Sequence, residues 1–402
     1  MKVRVRAAAV AICVALAVSA PARAQAPLQP WSLPLAGAWD SAPHNLSTAR
    51  NFETLYALYG VGVDELFGVG DLKAGRKGVM ARFARAPLDA YVAWLAALGS
   101  HEFGHCQQAW LGGSHDCHWV SASGPYALGH IITVDDAGRL APAGRMAVTA
   151  GGVQATIAGA LALKRELVEN GGGHWTASPL LVLRQLDFTF YGLSAPSPAD
   201  ALPSDFANDM TNYAIRYGAR SGRGGETVHT DIVHGALWNL ADPMTWAGAY
   251  TYVADYVVRG RPTAGTIGFH GAGLSWSATT NAWLSEVGVR YALGVFARDS
   301  RGNVLEVTPS WGEGQPAVTG RVSHAVRPGL RVRAGADIWR QRVSAVPGPL
   351  ANGGALAGGV AHTMGRLIVS GNAGYKSAGV MLGQPQSAGW FWGIGGEFWI
   401  RR

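Results

Sequence analysis

His101 and His105 stand four residues apart, with Glu102 between them, in the run Gly99-Ser100-His101-Glu102-Phe103-Gly104-His105. Residues four apart on a helix project from one face, so the two imidazoles can grip one metal ion while the Glu102 carboxylate sits beside them. A zinc ion (Zn2+) held by two imidazoles and one further ligand keeps a position for water and lowers that water's pKa towards neutrality. Glu102 would then take the proton as the hydroxide attacks a carbonyl. The duller alternative is a helix whose two partly buried histidines pair with side chains or backbone. Gly104 argues against it: glycine inside a helix costs about 1 kcal/mol relative to alanine, a loss that makes sense where a neighbouring backbone must come close.

The run resembles the HExxH signature of the zincin metallopeptidases, and its HExGH form is similar to that of several membrane-associated members. The resemblance covers this helix and its surroundings, a small fraction of the chain. It implies that His101 and His105 are zinc ligands and Glu102 the general base. The long metzincin form is absent, because Leu111 occupies the place of a third histidine. The third ligand must come from elsewhere.

A helix expected from Ser204, as N-cap, through Tyr217 supplies one candidate. Phe206, Asp209, Met210, Tyr213 and Tyr217 share a stripe at three- and four-residue spacing, which places the Asp209 carboxylate among inward-facing residues. A buried carboxylate needs a partner, and a metal would be one. Tyr213, one turn on, could hydrogen-bond an oxyanion. Asp209 could equally be solvated or paired with Arg216. Competing ligands are Asp231 and His234, Glu166 or Glu169, and the loop residues His115 and His118.

The elements that must position these residues follow from patterning. The site helix is expected to start at Pro87, a residue suited to a first turn, and to end at Gly112-Gly113. Residues 58 to 64, rich in glycine, read as a short hairpin or loop. Further helices are expected from near Gly151 to Glu169, from Leu180 to Tyr191, from Thr230 to Leu240 and from Trp246 to Val258, with no uninterrupted apolar run of some 18 residues. From about Thr263 glycine becomes frequent and period-two alternation takes over. Trp283, Val287, Val289, Tyr291, Leu293 and Val295 alternate with Glu286, Gly288, Arg290, Gly294 and Arg298. The stretch from Leu330 and the final run from Trp390 to Ile400 repeat the pattern. Alternating segments near 265–277, 281–298, 303–311, 317–327, 329–343, 354–364, 365–376 and 389–400 predict about eight strands, lengths that suit a barrel with lipid outside and a polar lumen. The aromatic last strand resembles the closing strand of bacterial outer-membrane barrels, although the chain ends on Arg401-Arg402. A soluble antiparallel sandwich would show the same alternation.

Residues 1–24 read as an export signal: Lys2, Arg4 and Arg6, then an apolar stretch over 7–20, then Ala22-Arg23-Ala24. Against 26 acidic residues the 33 basic ones give a formal charge of +7; losing the leader's four basic residues leaves 29 against 26, or +3. The basic balance is therefore no sign of nucleic acid. Cys106 and Cys117 remain as an even pair in an exported chain, and a disulfide between them is expected, with free thiols or metal ligation as the alternative.

The expected fold class is α+β: an extended lead-in over 25–86, a helical zincin-like domain over 87–262, and an antiparallel β-barrel of about eight strands over 263–402. The expected function is that of a zinc peptidase of the bacterial envelope acting on proteins or peptides, fixed among the lipids of a Gram-negative outer membrane or lying in the periplasm. One alternative is a non-catalytic outer-membrane barrel protein whose helical region is structural or captures metal. Another, similar to the site-2 proteases of the inner membrane, would need spanning helices that the pattern does not provide.

Overall fold

The computed structural model describes residues 33–40, 45–66, 75–114, 117–121, 130–134, 140–202, 208–265, 268–342, 348–365, 367–382 and 388–400 of the chain. The expected leader, Ser204, Phe206 and His115 lie outside these residues. The chain runs β1 (Leu33–Asp40), α1 (Asn45–Leu66), α2 (Arg76–Leu111), a hairpin of β2 (Cys117–Ser121) and β3 (His130–Val134), α3 (Pro142–Asn170), β4 (Gly173–His174), α4 (Ala177–Ser194), α5 (Asp209–Ser221), α6 (Gly225–Leu240) and α7 (Pro243–Tyr250). Helix α7 continues as π-helical turns over Thr251–Val258. Strands β5 (Thr263–Ala264), β6 (Phe269–Gly271), β7 (Leu274–Ser285), β8 (Gly288–Arg298), β9 (Val304–Trp311), β10 (Ala317–Arg327), β11 (Leu330–Gln341), β12 (Ala351–Met364), β13 (Leu367–Lys376) and β14 (Gly389–Ile400) follow.

The expected lead-in over 25–86 is not simply extended, since it contains β1, all of α1 and the start of α2. The glycines of 58–64 sit inside α1, where Gly60 lets the helix lie against Trp175 and Thr176; a Cβ there would stand 3.3 Å from the Trp175 ring. Helix α2 begins eleven residues before Pro87, which lies in its interior. Proline removes one helical hydrogen bond, and tertiary contacts on either side hold the helix through it. Arg85 pairs with Asp89 across Pro87 and lies over the Trp175 ring. Asp89 also accepts the hydroxyls of Tyr59 and Tyr252. At its other end α2 stops at Gly112, as its Gly-Gly pair predicts.

Helix α3 starts at Pro142, earlier than the expected Gly151, and ends at Gly171 in the left-handed conformation. It is the one described helix long and apolar enough to cross a membrane, yet it is the core helix of the fold, 83% buried over its most apolar stretch. Buried residues of α3, α4, α5, α6, β7 and β8 form one continuous core.

Ten strands form one antiparallel sheet in the order β1-β14-β13-β12-β11-β10-β9-β8-β7-β6. Its polarity is inverted over β9 to β14. Leu305, Val307, Val322, Val332, Ile338, Leu356, Val360, Trp390 and Ile394 are exposed, whereas Glu306, Thr308, Ser323, Asp337 and Lys376 are buried. Helix α3 lies on the polar face: Arg165 grips Glu306 of β9 through two 2.7 Å hydrogen bonds, and Arg333 of β11 grips Glu169 at 3.2 and 2.7 Å.

The expected closed barrel is not formed. Among the described residues β1 and β6 do not pair, and the sheet stays open. The physical reason lies at β7, beyond its short pairing with β6. The Ala282 N–H donates to Asn239 Oδ1 and the Ala282 carbonyl accepts from Asn239 Nδ2. Thr280 N–H donates to Asp242, the Thr280 carbonyl accepts from Gln185, and the Leu284 carbonyl from Gln154. Side chains of the helices thus take the hydrogen-bonding places of a closing strand. The same seam holds the buried Lys164–Asp242 ion pair at 3.0 Å.

Candidate metal centre

Helices α2 and α3 cross where Gly104 meets Gly151. A Cβ on Gly104 would stand 2.9 Å from the Gly151 carbonyl carbon, and one on Gly151 2.6 Å from the Gly104 carbonyl oxygen. That is the close backbone approach expected from a glycine inside the His-bearing helix. It brings Gly152 directly under the two imidazoles.

His101 and His105 are both buried, and their ring centroids lie 5.0 Å apart. Each points Nε2 at the same oxygen: Asp209 Oδ2 lies 3.4 Å from His101 Nε2 and 3.1 Å from His105 Nε2. Asp209 is the first residue of α5. Asn208 caps that helix by accepting the N–H groups of Met210 and Thr211, so the carboxylate sits at the positive end of the helix dipole. All three donor atoms lie within 4.8 Å of one another, a grouping able to hold a metal ion.

The other ring nitrogens are set by partners that the sequence did not disclose. His101 Nδ1 lies 2.8 Å from Asp187 Oδ2, and His105 Nδ1 lies 2.6 Å from the Val148 carbonyl. Both contacts suit a proton on Nδ1 and turn Nε2 of each ring towards Asp209, the orientation a metal requires. Asp187 also accepts the Thr156 hydroxyl at 2.8 Å. A carboxylate within the apolar helix from Leu180 to Phe188 carries the same signal that singles out Asp209: it needs a partner.

The space between the imidazoles passes a direct fit test. A Cβ on Gly152 would stand 2.6 Å from His105 Nε2 and clash with His101 Nε2, so glycine keeps the two nitrogens clear of a side chain. Two imidazoles and one carboxylate form a donor set suited to zinc. The electrostatics agree. Burial opposes protonation of His101, but Asp187 and Asp209 outweigh it and hold the imidazole well above its ordinary pKa. His105 is likewise raised by Asp209 against burial. Burial would raise the Asp209 carboxyl, but His105 and His101 hold it well below the usual carboxylate range. The pocket is therefore built for positive charge beside Asp209.

Glu102 is partly buried next to the cluster, and its charge acts on both His105 and Tyr191. Tyr191, one turn past Asp187 on α4, packs its ring edge-on against His101 with centroids 5.5 Å apart. Burial, then Asp209, Asp187 and Glu102, push its hydroxyl far up, so it stays a proton donor. Tyr213, expected to serve an oxyanion, instead donates to the Ser285 carbonyl at 2.7 Å in the core, and its one proton is not offered to the site.

The competing ligands stand elsewhere or in other pairs. Asp231 accepts from Arg223 at 2.6 Å, His234 is exposed on α6, and Glu169 is held by Arg333. Glu166 lies fourteen residues past Gly152 on α3, about 21 Å along the helix axis. The His118 side chain, like His115, falls outside the described residues. Cys106, next to His105, forms the expected disulfide with Cys117 and fixes the end of α2 to β2. No protein-family model, curated protein or solved structure matches the chain.

Proposed function

We propose that this chain is a zinc-dependent peptidase of the bacterial envelope, with His101, His105 and Asp209 as metal ligands and Glu102 as general base. The observation that carries the reading is the convergence of three donor atoms to within 4.8 Å of one another, with both Nδ1 atoms already engaged. A bound zinc ion would acidify water and polarise a peptide carbonyl there. Glu102 takes the proton from the attacking water and returns it to the leaving amine. Tyr191 donates its high-pKa hydroxyl to the developing oxyanion, the role first expected of Tyr213. Asp187 and the Val148 carbonyl keep both imidazoles in register.

The setting is the outer membrane, with lipid against the apolar outer face of the sheet and protein or peptide as substrate. Support comes from the inverted polarity of β9 to β14, which a soluble sheet would reverse.

The test pairs metal content with proteolysis of unfolded envelope proteins. About one zinc per chain is expected. Glu102→Gln should keep the metal and lose at least roughly a hundredfold in turnover, whereas His101→Ala, His105→Ala and Asp209→Ala should lose the metal itself. Full zinc occupancy in Asp209→Ala, or unchanged proteolysis in Glu102→Gln, would sink the assignment.

A further inference from the structure

A cavity of about 360 Å³ opens where β9 and β11 end beneath α6, lined in part by Arg223, Asp231, Tyr291, Trp311, Glu313 and Arg342. Two guanidiniums converge on one carboxylate: Arg223 Nη1 lies 2.6 Å from Glu313 Oε1, and Arg342 Nη1 lies 3.2 Å from Glu313 Oε2. The same Arg223 nitrogen lies 2.6 Å from Asp231. Tyr217 donates to Glu313 at 2.8 Å, and Glu313 itself has φ 49°, a conformation that a non-glycine residue keeps only where its surroundings hold it.

The charges balance, but the donors are not exhausted. Each arginine engages a single Nη1, and among the described residues the Nε of Arg342 is buried without a partner. Both arginines line the cavity with side chains that stay 29 and 22% exposed, and guanidinium N–H groups beyond those already engaged fit the oxygens of an anion, above all a phosphate. A cation would first have to displace both arginines from their carboxylates.

The wall opposite is aromatic. Tyr291 and Trp311 stack with centroids 6.3 Å apart, and Trp238 meets Trp311 edge-on at 5.8 Å. Trp311 is the last residue of β9, directly above the exposed Leu305 and Val307. The cavity therefore opens where the apolar face of the sheet gives way to its polar end, the level at which aromatic residues mark a membrane interface.

We propose that this cavity seats the headgroup of a phospholipid, its phosphodiester on the unused nitrogens of Arg223 and Arg342 and its glycerol and upper acyl carbons against Tyr291 and Trp311. The inference rests on the reading that the outer face of the sheet meets lipid. It assigns the cavity a role separate from the metal centre, that of fixing the height and tilt of the sheet in the bilayer.

The full mature chain in non-ionic detergent is titrated calorimetrically with monomeric dihexanoyl-phosphatidylethanolamine and, separately, with inorganic phosphate. Saturable lipid binding is expected, weakened at least about tenfold in R223Q/R342Q, with phosphate at least about tenfold weaker than lipid. Because that double variant removes both arginine partners of Glu313 and can misfold, W311L provides a second test; it should weaken the lipid and leave phosphate unchanged. Lipid affinity unaltered in both variants overturns the proposal, as does phosphate binding as tightly as lipid. Quenching of Trp390 and Trp392 by brominated lipid in vesicles reports separately on the membrane reading. Quenching together with arginine-independent lipid affinity removes the headgroup site and leaves that reading standing. Absence of quenching removes the membrane reading, and the role of the cavity in fixing the sheet in a bilayer falls with it.

Discussion

Asp187 on α4 and His101 on α2 are joined by a 2.8 Å contact from carboxylate to Nδ1, and the same carboxylate oxygen accepts the Thr156 hydroxyl of α3. Three helices thus fix the orientation of one imidazole. Partners of this kind raise ligand basicity and restrict ring rotation, and their loss typically weakens metal affinity 10- to 100-fold. Asp187→Asn is expected to lower zinc affinity within that range, read by competition with a chromogenic chelator, while Thr156→Val has a smaller effect. An unchanged affinity in Asp187→Asn would show that the contact does not hold the ring.

Gly152 makes a sharper prediction, because a methyl there would stand 2.6 Å from His105 Nε2 and clash with His101 Nε2, crowding the two nitrogens that would hold the ion. Gly152→Ala should abolish stoichiometric zinc binding and, through overpacking, cost roughly 1–3 kcal/mol of stability. The discriminating result is metal content at a temperature where the variant is still folded by circular dichroism. One zinc per chain in that folded variant would refute the site geometry.

The seam between helices and sheet is testable without any metal. Asn239 donates to and accepts from Ala282 and also meets Gln185, all in the interior. Removing it leaves several buried polar groups unpaired at about 1–3 kcal/mol each. Asn239→Leu should therefore destabilise by roughly 2–5 kcal/mol in denaturant titration, within the range for breaking a buried network. A shift below about 0.5 kcal/mol, typical of surface positions, would mean that the β7 edge is satisfied in some other way.

His174 gives the fold an acid limit away from the metal. Burial pushes its imidazole down to about 4, against the pull of Asp64 and with the aid of Arg85. The unfolded ring protonates near 6.5. Since the folded value is the lower one, the unfolded chain takes up the proton first as the pH falls. The stabilisation is complete above about pH 6.5 and is lost progressively down to about pH 4, by up to roughly 3 kcal/mol. His174→Gln cannot titrate, so its stability curve should be flatter than that of the wild type across this window. Parallel curves would contradict the assigned burial.

The His-bearing helix, its glycine and the acid that joins the two imidazoles were legible because each rests on local spacing: i and i+4 for the histidines, an unexplained glycine at 104, an acid on an apolar stripe at 209. Asp187 and Tyr191 were not, because their roles depend on α4 crossing α2, which no local pattern encodes. Tyr213 shows the limit of stripe logic. It faces inward as expected, but inward at that turn means the Ser285 carbonyl and not the metal. The start of α2 was not legible because Pro87 reads as a boundary, while the Arg85–Asp89 pair carries the helix through it. The strand pattern was legible over most of its length. The open sheet was not, because closure depends on Asn239, Gln185 and Asp242 meeting β7, contacts between segments about 40 to 95 residues apart.

Residues 101 and 105 meet residue 209 only after the chain between them has been laid down as two further helices. A polypeptide still emerging, or cut short before that aspartate, has two lone nitrogens and nothing to complete the grip. If the ion makes this molecule a cutter of proteins, then its own unfinished copies are harmless in transit, and the capacity to cleave arrives together with the finished architecture.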